Sequence, residues 1–165
     1  MINITLITVG KIKEKYFTDA IAEYSKRLGR YCKLNIIELK DEPTPDNPSE
    51  NERQQVLKKE GARILEKIPK SCYVVPLCIE GKQKTSEELS DFIQKTATDG
   101  YNEIVFIIGG SMGICDEVKA KADFKLSFSK MTFPHQLMRI VLLEQIYRAE
   151  TILHNISYHI YDSLI

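Results

Sequence analysis

An α/β fold with a mainly parallel sheet and helices on both faces is predicted by three observations. Apolar strands alternate with helical periods along the chain. Ile104 to Ile108 is an uninterrupted apolar run, as a strand buried on both faces of a parallel sheet requires. The 165 residues are 43% hydrophobic and 28% charged, the composition of one ordinary globular domain spanning 1–165.

The elements follow in order. Residues 2 to 9 alternate, are rich in Ile, Thr and Val, and end at Gly10, which predicts a first strand. Apolar residues at 16, 17, 20, 21, 24 and 28 give a helix from Glu14 to Leu28, with Gly29 placed as a C′ glycine. Leu34 to Leu39 is a second strand, and DEPTPDNPSE behind it is an exposed loop. Ser49 with Glu52 makes a capping box for a charged helix that Pro69 stops. Tyr73 to Ile79 is a third strand, whose Pro76 requires an edge, a bulge or a strand end. Thr85 and Glu88 cap the next helix, with Leu89, Phe92, Ile93 and Ala97 as its buried face. After the central strand come a short helix near Cys115 to Ala122, a brief strand Phe124 to Ser127 and a long helix opened by Pro134. That helix is apolar around more than one stripe, which predicts core on one side and a dimer interface on the other.

Composition excludes several classes. No apolar run approaches the roughly 20 residues of a membrane span, and no export leader is visible, so a cytoplasmic protein is expected. Cys32, Cys72, Cys78 and Cys115 have no CxxC pair and no histidine at zinc spacing, so reduced thiols and no metal are expected. The formal charge is zero, yet Lys11, Lys13, Lys15, Lys26, Arg27, Arg30 and Lys33 crowd the first 33 residues. They make either a local basic surface or ordinary solvated faces.

The stretch FIIGGSMGICDEV, 106 to 118, runs a strand into Gly109, Gly110 and Gly113. A P-loop fails for want of the lysine, and a dinucleotide fingerprint fails on position. A ligand read by bare backbone at the strand's carboxyl end, or a tight turn without a ligand, remain.

LSFSKMTFPHQLMRIVLLEQIYRAETIL, 126 to 153, with IIGG and the amino-terminal TVGKIKEKY, resembles the ribosomal RNA large subunit methyltransferase H family, of the SPOUT class, from residue 1 to about 159. The resemblance implies a five- or six-stranded sheet with a carboxyl-terminal trefoil knot, the α/β-knot. It implies methylation of N3 of a pseudouridine in 23S ribosomal RNA, within the large subunit or the assembled ribosome, by a homodimer using S-adenosylmethionine. Carried over, the cofactor site comprises Leu77, Gly109, Gly110 and the segment Phe128, Ser129, Lys130, Met131, Thr132 and Phe133. Arg148, Tyr158 and His159 stand at the substrate mouth as the catalytic group, completed by the partner subunit.

His135 is assigned to fixing the cofactor loop by a hydrogen bond, and His154 to the surface. Arg139 either reaches RNA phosphate or pairs with Glu144, and Lys11 and Lys13 are candidate contacts to RNA backbone. Ser157 stands where the family has proline, Pro76 where it has a small polar residue, and Ile160 to Ile165 extend the tail. The rival expectations are a non-catalytic ribosome-binding or assembly factor on the same fold and a SPOUT enzyme acting on transfer RNA.

Overall fold

A computed structural model describes residues 1–162; of the tail extension, 163–165 lie outside the described residues. β1 (Asn3–Val9), β2 (Lys33–Leu39), β3 (Tyr73–Lys82) and β4 (Glu103–Ile108) form one sheet in the order β2-β1-β4-β3, with every pair parallel. Four strands are thus present among the described residues, one fewer than the resemblance implied at least. β4 is interior, as its apolar run predicted.

Helices α1 (Lys15–Leu28), α2 (Glu50–Lys67), α3 (Ser86–Thr98), α4 (Asp116–Lys119), α5 (His135–Leu153) and α6 (Tyr158–Asp162) complete the chain. Strand side chains alternate between faces. Ile4 and Leu6 of β1 with Ile104, Phe106 and Ile108 of β4 meet Leu28 of α1, Leu89 and Ile93 of α3 and Leu142, Leu143, Ile146 and Ala149 of α5. Ile7, Val9, Val105 and Ile107 meet Ile64 of α2 and Val118 of α4 on the opposite face. α5, flanked by α1 and α3, is therefore the middle helix of its layer.

Both capping boxes form: the Ser49 and Thr85 hydroxyls accept from the amides of Glu52 and Glu88, whose carboxylates reach back to the cap amides. Two local expectations fail. Gly29 has φ −57 rather than a left-handed conformation, because the chain turns on in right-handed geometry and Tyr31 and Cys32 donate back to Leu28. Ala97 is exposed, and Ser90 and Thr96 join Leu89 and Ile93 on the buried face of α3; the Ser90 hydroxyl donates to the Ala149 carbonyl of α5 at 3.0 Å.

Pro76 falls on the edge strand, where a missing donor is tolerated. β3 pairs with β4 only from Tyr73 to Pro76. Beyond that point its partner is the segment expected to be a fifth strand. Residues 124–127 do not form a strand; Leu126 makes single parallel bridges to Leu77 and Lys82, while Lys82 donates to Lys125 and Ser127 donates to Lys82. A Cβ on Gly81 would lie 2.6 Å from the Lys125 carbonyl oxygen, so only glycine lets the two backbones cross this closely.

Candidate functional site

The carboxyl end of β4 and the middle of β3 meet the start of α5 around a cavity of about 550 Å³, within the range of small-molecule sites. Three stretches build most of its wall: Leu77, Cys78 and Ile79 of β3; Gly109 to Ser111 with Gly113 and Ile114 after β4; and residues 126–129 and 131–135, with Met138 one turn further. Of the nine residues assigned to the cofactor, eight line this cavity. Lys130 is exposed and does not.

The glycine turn has an internal reason for its composition. A Cβ on Gly109 would fall 2.3 Å from the Gly113 carbonyl oxygen, and one on Gly110 would press on Val9 and on the Glu60 carboxylate behind the turn, at 3.2 and 3.1 Å. The turn closes on itself through the Gly110–Gly113 bridge, with Gly113 at φ +88. The other side of these residues faces the cavity. The loop from Ser127 is likewise pre-shaped: the Ser127 hydroxyl donates to the Ser129 carbonyl at 3.1 Å, and the Ser129 hydroxyl accepts from the Met131 amide at 3.0 Å. Met131 stands 76% exposed at the lip.

Among the described residues, no Asp, Glu, Lys or Arg lines the cavity. Its polar groups are backbone, the hydroxyls of Ser111, Ser127, Ser129 and Thr132, the Cys78 thiol and the His135 ring. Burial pushes the Cys78 thiol up, away from the reactive thiolate. Burial also lowers the His135 imidazole, with nearby Arg139 adding to the effect. The expected hydrogen bond from His135 to the loop is not seen: its buried Nδ1 has no partner among the described residues.

Arg139 fulfils neither of its expected roles. It is 1% exposed, and its guanidinium donates to the Glu38 carboxylate at 2.8 Å and to the carbonyls of Val9 and Gly10 at 3.1 and 2.7 Å. It ties α5 to the ends of β1 and β2 beneath the cavity. Glu60, 3% exposed, accepts from the Glu42 amide at 3.0 Å. Burial pushes its carboxyl up. Nothing in the local sequence marks either residue, since their partners lie far away along the chain.

Arg148, Tyr158 and His159 are brought together, but against one another. The Arg148 fork takes both oxygens of Glu144 at 3.3 and 2.9 Å, and the Tyr158 hydroxyl donates to the same carboxylate at 2.7 Å. Arg148 also lies 4.8 Å over the Tyr158 ring. It contacts His159 Nδ1 at 3.1 Å, and His159 Nε2 meets Glu87 at 2.7 Å. An arginine only donates, so Nδ1 accepts and Nε2 carries the proton given to Glu87. Burial and Glu144 together push the Tyr158 phenol up.

Ten residues of helix separate Arg148 from Met138, about 15 Å at 1.5 Å per residue. Between them a second cavity of about 360 Å³ shares Leu126, Ser127, Phe128 and Phe133 with the first and adds Lys84, Thr85, Ser86, Val141 and Gln145. Gln145 links the two regions, accepting from Ser86 at 2.7 Å and donating to Glu144 at 2.9 Å. Lys11 and Lys13 are exposed; His154 is exposed but packs its ring 4.8 Å from that of Tyr31.

Fold and cavity together define an α/β protein with a small, largely apolar cavity at the carboxyl edge of a parallel sheet. Residues 2–159 match the family described as predicted SPOUT methyltransferase, and the chain belongs to that family. It is 59% identical to the ribosomal RNA large subunit methyltransferase H of Clostridium beijerinckii, over 95% of this chain and 99% of that protein. It is 56% identical to the proteins of the same name from Clostridium perfringens and Bacillus pumilus, over the same shares.

Proposed function

We propose that this chain is an S-adenosylmethionine-dependent methyltransferase that methylates N3 of a pseudouridine in 23S ribosomal RNA. One observation carries the reading: three separate stretches of chain converge on one cavity of a volume and polarity suited to an adenosine-sized ligand. The residues present fit the donor's uncharged part, with Leu77, Ile79, Leu126 and Met138 offering apolar surface and the glycine turn offering backbone groups. When bound, the donor supplies an electrophilic methyl group on a cationic sulfur. The chain's own contribution is alignment, and a dry cup that keeps water from competing for that group.

Arg148 is the candidate ligand for a phosphate or base carbonyl, which its planar fork suits. Its fork is engaged by Glu144 in one subunit, so the reading requires RNA to enter that ion pair from the mouth of a neighbouring cup. A homodimer supplies this arrangement: a partner's cavity then faces the Arg148, Tyr158 and His159 cluster that lies about 15 Å of helix from its own. His159 holds the proton on Nε2 in the single chain and moves it only once Arg148 releases Nδ1. The same reading carries one knotted domain over the chain, a cytoplasmic setting, and the ribosome or its large subunit as substrate.

The test combines calorimetric titration with S-adenosylmethionine, tritiated methyl incorporation into ribosomes from cells lacking the gene, and nucleoside mass spectrometry of their 23S RNA. Saturable binding with incorporation at a pseudouridine is expected, and sedimentation should give twice the 19.0 kDa of one chain. Arg148→Ala should cut incorporation at least about 100-fold with donor affinity nearly unchanged, the pattern of a lost substrate contact. Binding without incorporation would mean a non-catalytic ribosome factor instead.

A further inference from the structure

Apart from the Cys78 thiol, which burial keeps protonated, His135 is the one ionisable side chain lining the donor cavity among the described residues. Its imidazole is therefore the group of the cup whose charge can change in mildly acidic to neutral solution. The rest of the wall is apolar, hydroxyl or backbone.

The ring is held where a proton finds little support. His135 opens α5, and a Cβ on Gly10, at φ +97 just after β1, would lie 3.4 Å from the ring's Cε1, so the imidazole packs over the end of that strand. Its Nδ1 is sealed from solvent and has no partner among the described residues. An imidazolium donates from both nitrogens, so a proton gained here leaves one N–H buried and unpaired. Burial is the main influence against the charge; of the charged groups facing the ring, Arg139, one turn further along α5, opposes it too, while Asp41 in the loop after β2 favours it. Arg139 is itself paired with Glu38 of β2. β3, the glycine turn and the wall residues of 126–134 present no charge, and the Glu60 carboxylate of α2 lies behind the turn, against Gly110.

The consequence falls on ligand charge. The methyl donor carries a positive charge on sulfur, and no carboxylate lines the cavity to offset a second cation. A neutral ring leaves that sulfur undisturbed, whereas a charged one in a poorly solvated cup repels it. The demethylated product is a neutral thioether of nearly the same shape, and its sulfur meets no such repulsion.

We infer that His135 sets which sulfur the cup accepts: uncharged, it admits the cationic sulfonium of S-adenosylmethionine, and with a proton bound it turns the cup toward the neutral thioether of S-adenosylhomocysteine. The inference rests on the S-adenosylmethionine reading and makes His135 a specificity-determining residue within it. Acidification then favours the spent cofactor over the fresh one in the same cavity.

Calorimetric titration with both ligands tests it, above and below the midpoint at which the His135 Cε1 proton resonance shows the ring to titrate; the resonance is assigned by its loss in His135→Asn. In wild type, the ratio of the dissociation constant of S-adenosylmethionine to that of S-adenosylhomocysteine should rise about tenfold on acidification through the midpoint, the scale of one like-charge repulsion in a partly screened site. The ligands' own amino groups titrate with either protein, so His135→Asn, polar but uncharged, supplies the baseline. By reciprocity, saturating S-adenosylmethionine should lower the proton affinity of the wild-type ring about tenfold, and S-adenosylhomocysteine should leave it unchanged. That second readout needs no variant. An equal rise of the ratio in wild type and His135→Asn overturns the inference, as does a ring that takes no proton before acid unfolding, or one whose midpoint both ligands move alike. These three outcomes leave the methyltransferase reading standing. Binding of neither ligand at any pH overturns that reading and this inference with it.

Discussion

Arg139 shows how a side chain can be misjudged from its neighbours in sequence. On a helix surface it would pair with Glu144 or meet phosphate; in the fold it is buried, and its three hydrogen bonds go to Glu38, Val9 and Gly10. Its partners are 101, 130 and 129 positions away, so no local pattern carries the information. Removing it strands two carbonyls and a carboxylate, and Arg139→Ala is expected to cost about 3 kcal/mol in urea unfolding. A loss under about 1 kcal/mol would mean water replaces the guanidinium without penalty. Gly109 is the opposite case, legible as a position, with its cause left between two alternatives. The sequence left open either room for a ligand or a tight turn, and the tightest neighbour is the Gly113 carbonyl oxygen of the same turn. Gly109→Ala should therefore reshape the cup, lowering S-adenosylmethionine affinity at least about tenfold by calorimetry while the far-ultraviolet dichroism is retained. Unchanged affinity would detach the turn from the cavity's shape.

Elements governed by short-range rules were readable. Both capping boxes form where serine or threonine precedes glutamate by three, and the apolar run of β4 is interior to the sheet. The expected cost of Ser49→Ala is about 1 kcal/mol, with Glu52→Ala costing a part of the same sum because the two bonds are reciprocal. Urea midpoints of the single and double variants check this; fully additive losses would show that the box acts as two independent bonds. Elements that depend on distant partners were not readable. Residues 124–127 have strand-like composition, yet their backbone groups go to Val74, Lys82 and the crossing at Gly81, leaving no ladder to extend. The site divides in the same way: its three stretches came from family likeness, and the Glu60 and Arg139 supports beneath them had no signal at all.

Across the whole molecule, buried ionisable groups set opposing responses to pH. Burial raises the carboxyls of Glu60 and Glu150 above their unfolded values, so their contribution to stability is fully present below about pH 4.5 and is lost as pH rises. The imidazole of His135 is lowered, so its contribution holds above about pH 6.5 and is lost on acidification. Glu60→Gln keeps an acceptor for the Glu42 amide while removing the charge, and should be more stable than wild type at pH 7 with no advantage at pH 4. Urea denaturation at the two values measures the difference; an advantage confined to acid would reverse the sign argued here.

The crossing of β3 by the segment at Lys125 and Leu126 bears on how such a protein is made. All four strands have been synthesised once Ile108 has emerged, but the cup still lacks Gly109 to Ile114 and Leu126 to Met138, and the Arg148 cluster still lacks Glu144, Arg148, Tyr158 and His159. An enzyme whose target is ribosomal RNA begins life attached to such RNA. Because the candidate cup and the Arg148 cluster both draw on residues beyond 125, a growing chain that already holds all four strands has neither of them in complete form.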